Sequence, residues 1–348
     1  CARSRASRSL PRSASASPER THPVPRSLPL VAALLAATGV SAPAPAQRAP
    51  TPPSDLDAEV SRALRTFNVP GVAVTIVKDG KVVLARGYGI RRVGDTASVD
   101  ARTRFGIASN TKAFTATALG LLVEEGKLEW DAPVVRYLPW FALSDPWVTS
   151  QLTVRDLLVH RSGLGLGAGD LLWWPTSTYD RKEIARRLRY IPLATSFRST
   201  YAYDNVLYTV AGEVIEAVSG QTWEQFVQSR ILDRLGMTHT TLLHSDAGQE
   251  GDVAATHGLV DGAPRVTPPM LSDNTNPAGG INTGAEDIAK WLIVQLDSGR
   301  LADGTRLFTP RITRALWSIV TPMRFGTYPP ELAPAQPQFL GYGLGLVV

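Results

Sequence analysis

"FGIASNTKAFTATALGLLVEEGKLEW", residues 105–130, decides how this chain is read. It opens on small and polar residues and passes into a helical pattern over 111–125, which Gly126 ends. Ser109 stands at the mouth of that helix, and Lys112 follows three residues later. Residues i and i+3 share a helix face, so the hydroxyl and the amine meet across one turn. A free serine hydroxyl is a weak nucleophile at neutral pH and needs help. A neutral lysine can take its proton, and a charged one can lower the pKa of a third group that does. The free N–H groups and the dipole at a helix N-terminus favour an anion developing there. The same spacing also fits an N-cap serine followed by a solvated charge.

"YAYDNVLY" (201–208) supplies a second candidate. Tyr203 and Asn205 form a Tyr-x-Asn triplet just ahead of a helical pattern. A tyrosinate could serve as base for Ser109 if an ammonium lowered its pKa from about 10. The Asn205 amide could hold a substrate carbonyl. An ordinary aromatic-rich helix entrance reads the same way.

Other chemistries find no support. The histidines outside the N-terminal stretch, His160, His239, His244 and His257, make no His-Glu-x-x-His pattern, and there is no Gly-x-Ser-x-Gly elbow. The glycines of "HRSGLGLGAGD" (160–170) neither follow a strand nor open a helix, so they read as a flexible loop rather than a dinucleotide site. Cys1 is the only cysteine, which removes disulfides, a thiol nucleophile and zinc-thiolate ligation from the body of the chain. No cofactor or metal is called for.

The chain has 348 residues, 44% hydrophobic and 19% charged, which is enough apolar material for a sizeable core. Its formal charge of +5 is uneven. Residues 1–46 hold six arginines and one acid; without them, 30 basic and 30 acidic side chains remain. A neutral body gives no electrostatic case for a nucleic-acid partner. "RSLPLVAALLAATGVSAPAPAQ" (26–47) has a basic residue, a short apolar run and Ala42-x-Ala44-x-Ala46. It reads as a secretory signal cleaved after Ala44 or Ala46, and its apolar run is too short to span a bilayer. A secreted or periplasmic location is expected. Residues 47–53 read as a Pro-rich linker ahead of a domain over 54–348.

Along that domain, Ser54 with Asp57 is expected to cap a helix whose apolar face is Leu56, Val60, Leu64 and Phe67. Residues 71–90 read as a β-hairpin turning at Asp79-Gly80. Thr153 with Asp156, Asp180 with Glu183, Thr222 with Gln225 and Thr283 with Glu286 each read as capping boxes opening helices. Another helix spans 206–219 and stops at Gly220, and "GYGLGLVV" (341–348) reads as a strand. The order predicts an α+β fold: an antiparallel sheet from both chain ends, flanked by helices, with a helical insertion.

Together these stretches resemble the penicillin-binding and β-lactamase-related serine hydrolases. That group contains class C β-lactamases, D-Ala-D-Ala carboxypeptidases, D-aminopeptidases and esterases. The resemblance covers roughly 55–348. It is carried by "VPGVAVTIVKDGKVVLARGYG" (69–89), "TRFGIASNTKAFTA" (103–116), "LTVRDLLVHRSGL" (152–164), "YAYDNVLYTVAGEVIE" (201–216) and "PAGGINTGAEDIAKWL" (277–292). It implies that Ser109 is the acylated nucleophile, Lys112 its proton partner and Tyr203 the general base with the help of Lys112. Asn205 would orient the substrate, and the Ser109 N–H would supply half of an oxyanion hole. The family's third motif, Lys/His-x-Gly on a late strand, has no match before Val348, so the C-terminal strands are expected to be truncated. The expected function is that of a secreted hydrolase forming an acyl-enzyme on a small-molecule or peptide ester or amide. Esterase or peptidase action is preferred to class C-like β-lactamase action. A non-catalytic protein that binds cell-wall peptides is the alternative from another class.

Overall fold

The computed structural model describes residues 50–248 and 251–348. The leader expected for 1–46 lies outside them, as does the start of the linker. Helix α1 (Leu56–Thr66) is the first helix among the described residues, but Ser54 and Asp57 form no capping box. Asp57 instead accepts from the Tyr88 hydroxyl at 2.7 Å and the Arg86 guanidinium at 2.9 Å, tying the helix to the hairpin beside it. Phe67, expected on the apolar face, lies past the helix end and is 72% exposed.

Strands β1 (Gly71–Lys78) and β2 (Lys81–Gly89) pair antiparallel from Gly71↔Gly89 to Lys78↔Lys81. The two-residue turn has positive φ at both Asp79 (52°) and Gly80 (70°), which suits the twist of a tight hairpin. Next come β3 (Phe105–Gly106), α2 (Thr111–Glu124), α3 (Pro146–Gln151), α4 (Arg181–Arg187), α5 (Val206–Ser219), α6 (Trp223–Val227) and α7 (Asp233–Leu235). The chain continues through β4 (His257–Val260), β5 (Ala263–Val266), α8 (Asn276–Gly279), β6 (Asn282–Thr283), α9 (Ala285–Leu296), α10 (Pro310–Trp317), β7 (Thr321–Pro322) and β8 (Gly341–Tyr342). The fold is α+β as expected, with helices filling the stretch between β3 and β4. Its antiparallel pairing is carried by small two-stranded ladders, β1–β2, β3–β6, β4–β5 and β7–β8.

Helix α2 is the centre of the core. Every residue from Thr111 to Leu122 is buried, as its lack of a polar face predicts. Helices α5, α6, α8 and α10 surround it. A Cβ on Gly120 would lie 2.8 Å from Ile312 Cγ2, so the close approach of α10 depends on that glycine. Gly126 (φ 70°) ends the helix, and Lys127 N–H donates back to the Leu122 carbonyl at 3.0 Å, a Schellman closure. Helix α9 packs on both hairpin strands, and its Trp291 stacks on Phe114 of α2 with ring centres 3.8 Å apart.

Two of the capping signals form caps. Asp180 accepts from Glu183 N–H, and Thr222 with Gln225 makes both bonds of a capping box. Gly220 ends α5 with φ 74°. At Thr153 the local bonds form, but they open only a 3₁₀ turn, Arg155–Leu158, and Arg161 and Arg198 converge on the same Asp156 carboxylate. Thr283 caps nothing: its hydroxyl pairs with that of Thr240 at 2.7 Å, and Gly284 takes the cap position. The last segment is also not one strand. It pairs with β7 only through Gly341–Tyr342, then doubles back, so that Gly341 and Val348 exchange backbone bonds of 3.0 and 2.8 Å. Gly345, at φ 79°, makes the reversal.

Candidate active site

Three segments distant in sequence meet at the start of α2. The β3–β6 pair, Phe105↔Thr283 and Gly106↔Asn282, brings the Ser109 block against residues 277–283. Ile107 N–H donates to the Ile281 carbonyl at 2.9 Å, and Ile281 N–H donates to Thr111 Oγ1 at 3.2 Å. The chain then passes through Ala108 at φ 45°, a left-handed conformation that alanine rarely adopts. That turn delivers Ser109 into a 3₁₀ turn, Ala108–Asn110, which feeds α2. Ser109 therefore lies just before the helix rather than on its first turn, with its side chain exposed. Its N–H lies ahead of the turn's first bond, Asn110 N–H to the Ile107 carbonyl.

Lys112 is fully buried in the first turn of α2. Its ammonium donates three bonds: to Ser109 Oγ at 2.9 Å, Asn205 Oδ1 at 3.0 Å and the Ala278 carbonyl at 2.9 Å. The Tyr203 hydroxyl lies 2.5 Å from Ser109 Oγ. The structure thus brings together Ser109, Lys112, Tyr203 and Asn205. It also adds partners that local spacing does not reveal. Asp170 accepts from Asn205 Nδ2 at 3.3 and 3.4 Å, which turns the amide so that its oxygen faces Lys112. The loop around Asp170, read from its glycines as flexible, is thereby part of the site. The Ala278 carbonyl comes from α8, and no side-chain motif could announce it.

Burial sets the proton affinities. It lowers the Lys112 pKa to about 7, while Asp204 and Asp170 pull in the other direction. The same desolvation raises the Tyr203 pKa above its ordinary value, against the pull of the Ser109 hydrogen bond. Lys112 sits 4.9 Å from the centre of the Tyr203 ring, and its three bonds all go elsewhere. Ser109 Oγ stands between the Lys112 ammonium and the Tyr203 hydroxyl, and links them. Burial thus favours the neutral amine at Lys112 and the protonated phenol at Tyr203.

A cleft of about 670 Å³ opens beside Ser109. Phe114, Trp291, Leu292, Trp317 and Leu346 line much of it. The turn through Gly345 presses on the first turn of α2: a Cβ there would lie 2.6 Å from the Lys112 carbonyl oxygen. Among the described residues, no helix is long and apolar enough to cross a membrane.

Comparison with known proteins places this arrangement. The family model described as Beta-lactamase matches residues 56–348. The unguisins hydrolase ungD of Aspergillus violaceofuscus is 33% identical over 252 residues, 68% of this chain and 44% of that protein. Protein flp of Staphylococcus aureus is 29% identical over 245 residues, 70% of this chain and 48% of that protein. The chain therefore spans about half the length of the curated relatives it matches. Among solved structures, the octameric penicillin-binding protein homologue from Pyrococcus abyssi superposes with a TM-score of 0.70 at 27% identity, over 84% of this chain and 64% of that one. EstCE1, a hydrolase with promiscuous acyltransferase activity, superposes with a TM-score of 0.69 at 19% identity, over 84% and 81%, and so speaks for the fold alone. The match across residues 56–348, the 33% identity to a relative over 68% of the chain and the shared overall fold lead to one conclusion: the chain belongs to the Beta-lactamase family of serine hydrolases.

Proposed function

We propose that the protein is a secreted serine hydrolase that cleaves an ester or amide through an acyl-enzyme on Ser109, with esterase or D-amino-acid peptidase action ahead of β-lactamase action. The observation that carries this reading is the buried Lys112 amine, 2.9 Å from Ser109 Oγ with its pKa lowered to about 7. In its neutral form it accepts the Ser109 proton as Oγ attacks the substrate carbonyl carbon. The developing oxyanion faces the Ser109 N–H. Tyr203, 2.5 Å from Oγ, is placed to protonate the leaving group. The phenolate so formed is balanced by the new charge on Lys112 nearby. In deacylation the phenolate takes a proton from the attacking water, and Lys112 returns its proton to Ser109 as the acyl bond breaks. Asn205, held by Asp170, keeps its amide oxygen on Lys112 throughout.

Hydrolase relatives support the reaction class, and a D-stereospecific amidohydrolase from Streptomyces shares the fold at a TM-score of 0.63. Secretion rests on the leader pattern over 26–47. The test is covalent labelling. A fluorophosphonate probe is expected to leave one adduct, mapped to Ser109 by peptide mass spectrometry and absent from Ser109→Ala. An adduct that persists in Ser109→Ala overturns the assignment.

A further inference from the structure

His160 is fully buried and belongs to none of the roles above. Its backbone is left-handed at φ 54°. Three of its contacts converge on residues 202–204. The His160 carbonyl accepts from Ala202 N–H at 2.8 Å. Its Nδ1 accepts from Asp204 N–H at 3.2 Å. Its ring lies against the Tyr203 ring, with centres 4.3 Å apart and planes 34° apart. The residue on each side of Tyr203 is thus hung from His160, and Tyr203 itself rests on the imidazole face.

The ring is constrained in turn. Tyr342 meets it edge-on at 4.5 Å and Tyr201 at 5.6 Å, and Tyr208 tilts against it at 5.7 Å. Because Nδ1 accepts a backbone N–H, the ring proton sits on Nε2. Nε2 is buried with no hydrogen-bond partner among the described residues. Burial lowers the pKa of the imidazole and Lys112 adds to that effect, against the Asp204 carboxylate, which lies 3.9 Å from Nδ1 and pulls the other way. A neutral ring with one nitrogen committed to the backbone is a poor proton carrier and a good structural wedge.

We infer that His160 is a positioning residue: it clamps residues 202–204 so that the Tyr203 hydroxyl stays in hydrogen-bond range of Ser109 Oγ. This rests on the hydrolase reading of Ser109. A misplacement of about 1 Å typically costs about 10²-fold in rate, so the clamp carries catalytic weight although His160 touches no substrate.

The test is a double-mutant cycle on the rate of Ser109 acylation by a nitroanilide amide, whose amine leaving group needs the proton that Tyr203 gives. His160→Ala removes both ring and acceptor and is expected to slow acylation about 10²-fold, with KM for a nitrophenyl ester little changed. His160→Asn keeps an acceptor and suits left-handed backbone, so it is expected to recover about tenfold of that loss. In a Tyr203→Phe background, His160→Ala is expected to cost less than about twofold, because the group it positions is already gone. The full cost in that background would overturn the inference, since His160 would then act independently of Tyr203. If His160→Ala does not fold, His160→Asn carries the same cycle. A wild-type protein that takes no label at Ser109 would count against the hydrolase reading instead. The clamp is then judged by nitrogen NMR of the wild-type imidazole: protonation at Nε2 with a protected Asp204 amide upholds it, and protonation at Nδ1 overturns it.

Discussion

The two walls that flank Ser109 are built on different terms. Behind it, Lys112 has an acceptor for each of its three hydrogens, and Asn205 is held on both sides of its amide. Across the cleft, the lining is mainly apolar, and Gln295, only 6% exposed, has neither amide atom bonded among the described residues. The contrast teaches that the groups proposed to move protons are fixed before any substrate arrives, whereas the apolar lining offers shape and leaves a buried amide unbonded. Preorganised polar groups contribute to catalysis because they need not reorient during reaction.

Removing the base strikes the polar wall hardest. Lys112→Ala is expected to slow Ser109 acylation by about 10²–10⁴-fold, read by single-turnover labelling. A loss below about tenfold would break the contrast, since the wall would then be scaffolding. The pH profile sharpens it. A base with a pKa near 7 is protonated below that pH, so kcat/KM for a nitrophenyl ester is expected to fall as pH drops below about 7 and to level off above it. A rate that keeps climbing towards pH 10 would instead name Tyr203, whose pKa burial raises, as the base.

The next effect is smaller. Asp170→Ala frees the Asn205 amide and is expected to lower kcat about tenfold, the usual weight of one hydrogen bond to a charged group. It also removes a negative neighbour of Lys112, so the acid limb is expected to shift to lower pH. A limb that stays in place would show that Asp170 acts only through geometry. The apolar wall gives the smallest effect. Gln295→Leu replaces an unbonded buried amide and is expected to stabilise the protein by about 1 kcal/mol, a rise of about 2–4 °C in melting temperature. A fall in melting temperature would mean that the amide has a partner and that the two walls differ less than they appear in this state.

What the sequence discloses follows the range of the interactions involved. The Asp79-Gly80 turn, the Gly126 and Gly220 stops and the Thr222–Gln225 box are decided within a few residues, and each forms as read. The Ser109–Lys112 contact was legible because one helical turn sets it, although the 3₁₀ turn at Ser109 was not. The failures are cases where distant partners win. Asp57 leaves its cap for Tyr88, and Thr283 leaves its own for Thr240. Asp170 and His160 were invisible as site residues because their partners lie 35 and 44 positions away. Motif order across the chain, not local pattern, placed Tyr203 beside Ser109.

The third acceptor of Lys112 is a main-chain carbonyl, and this makes the site's tolerance to genetic change lopsided. No codon change at 278 deletes a carbonyl. Ala278, 5% exposed, can be exchanged for other side chains that fit its space while the ammonium keeps that bond. Asn205 has no such latitude, because its acceptor is the side chain itself. The neighbouring Pro277 carbonyl holds Thr115 of the same helix at 2.7 Å in the same way. Two successive peptide groups thus moor α2 with atoms that every amino acid carries, so a saturation library is expected to accept variety at 278 and refuse it at 205.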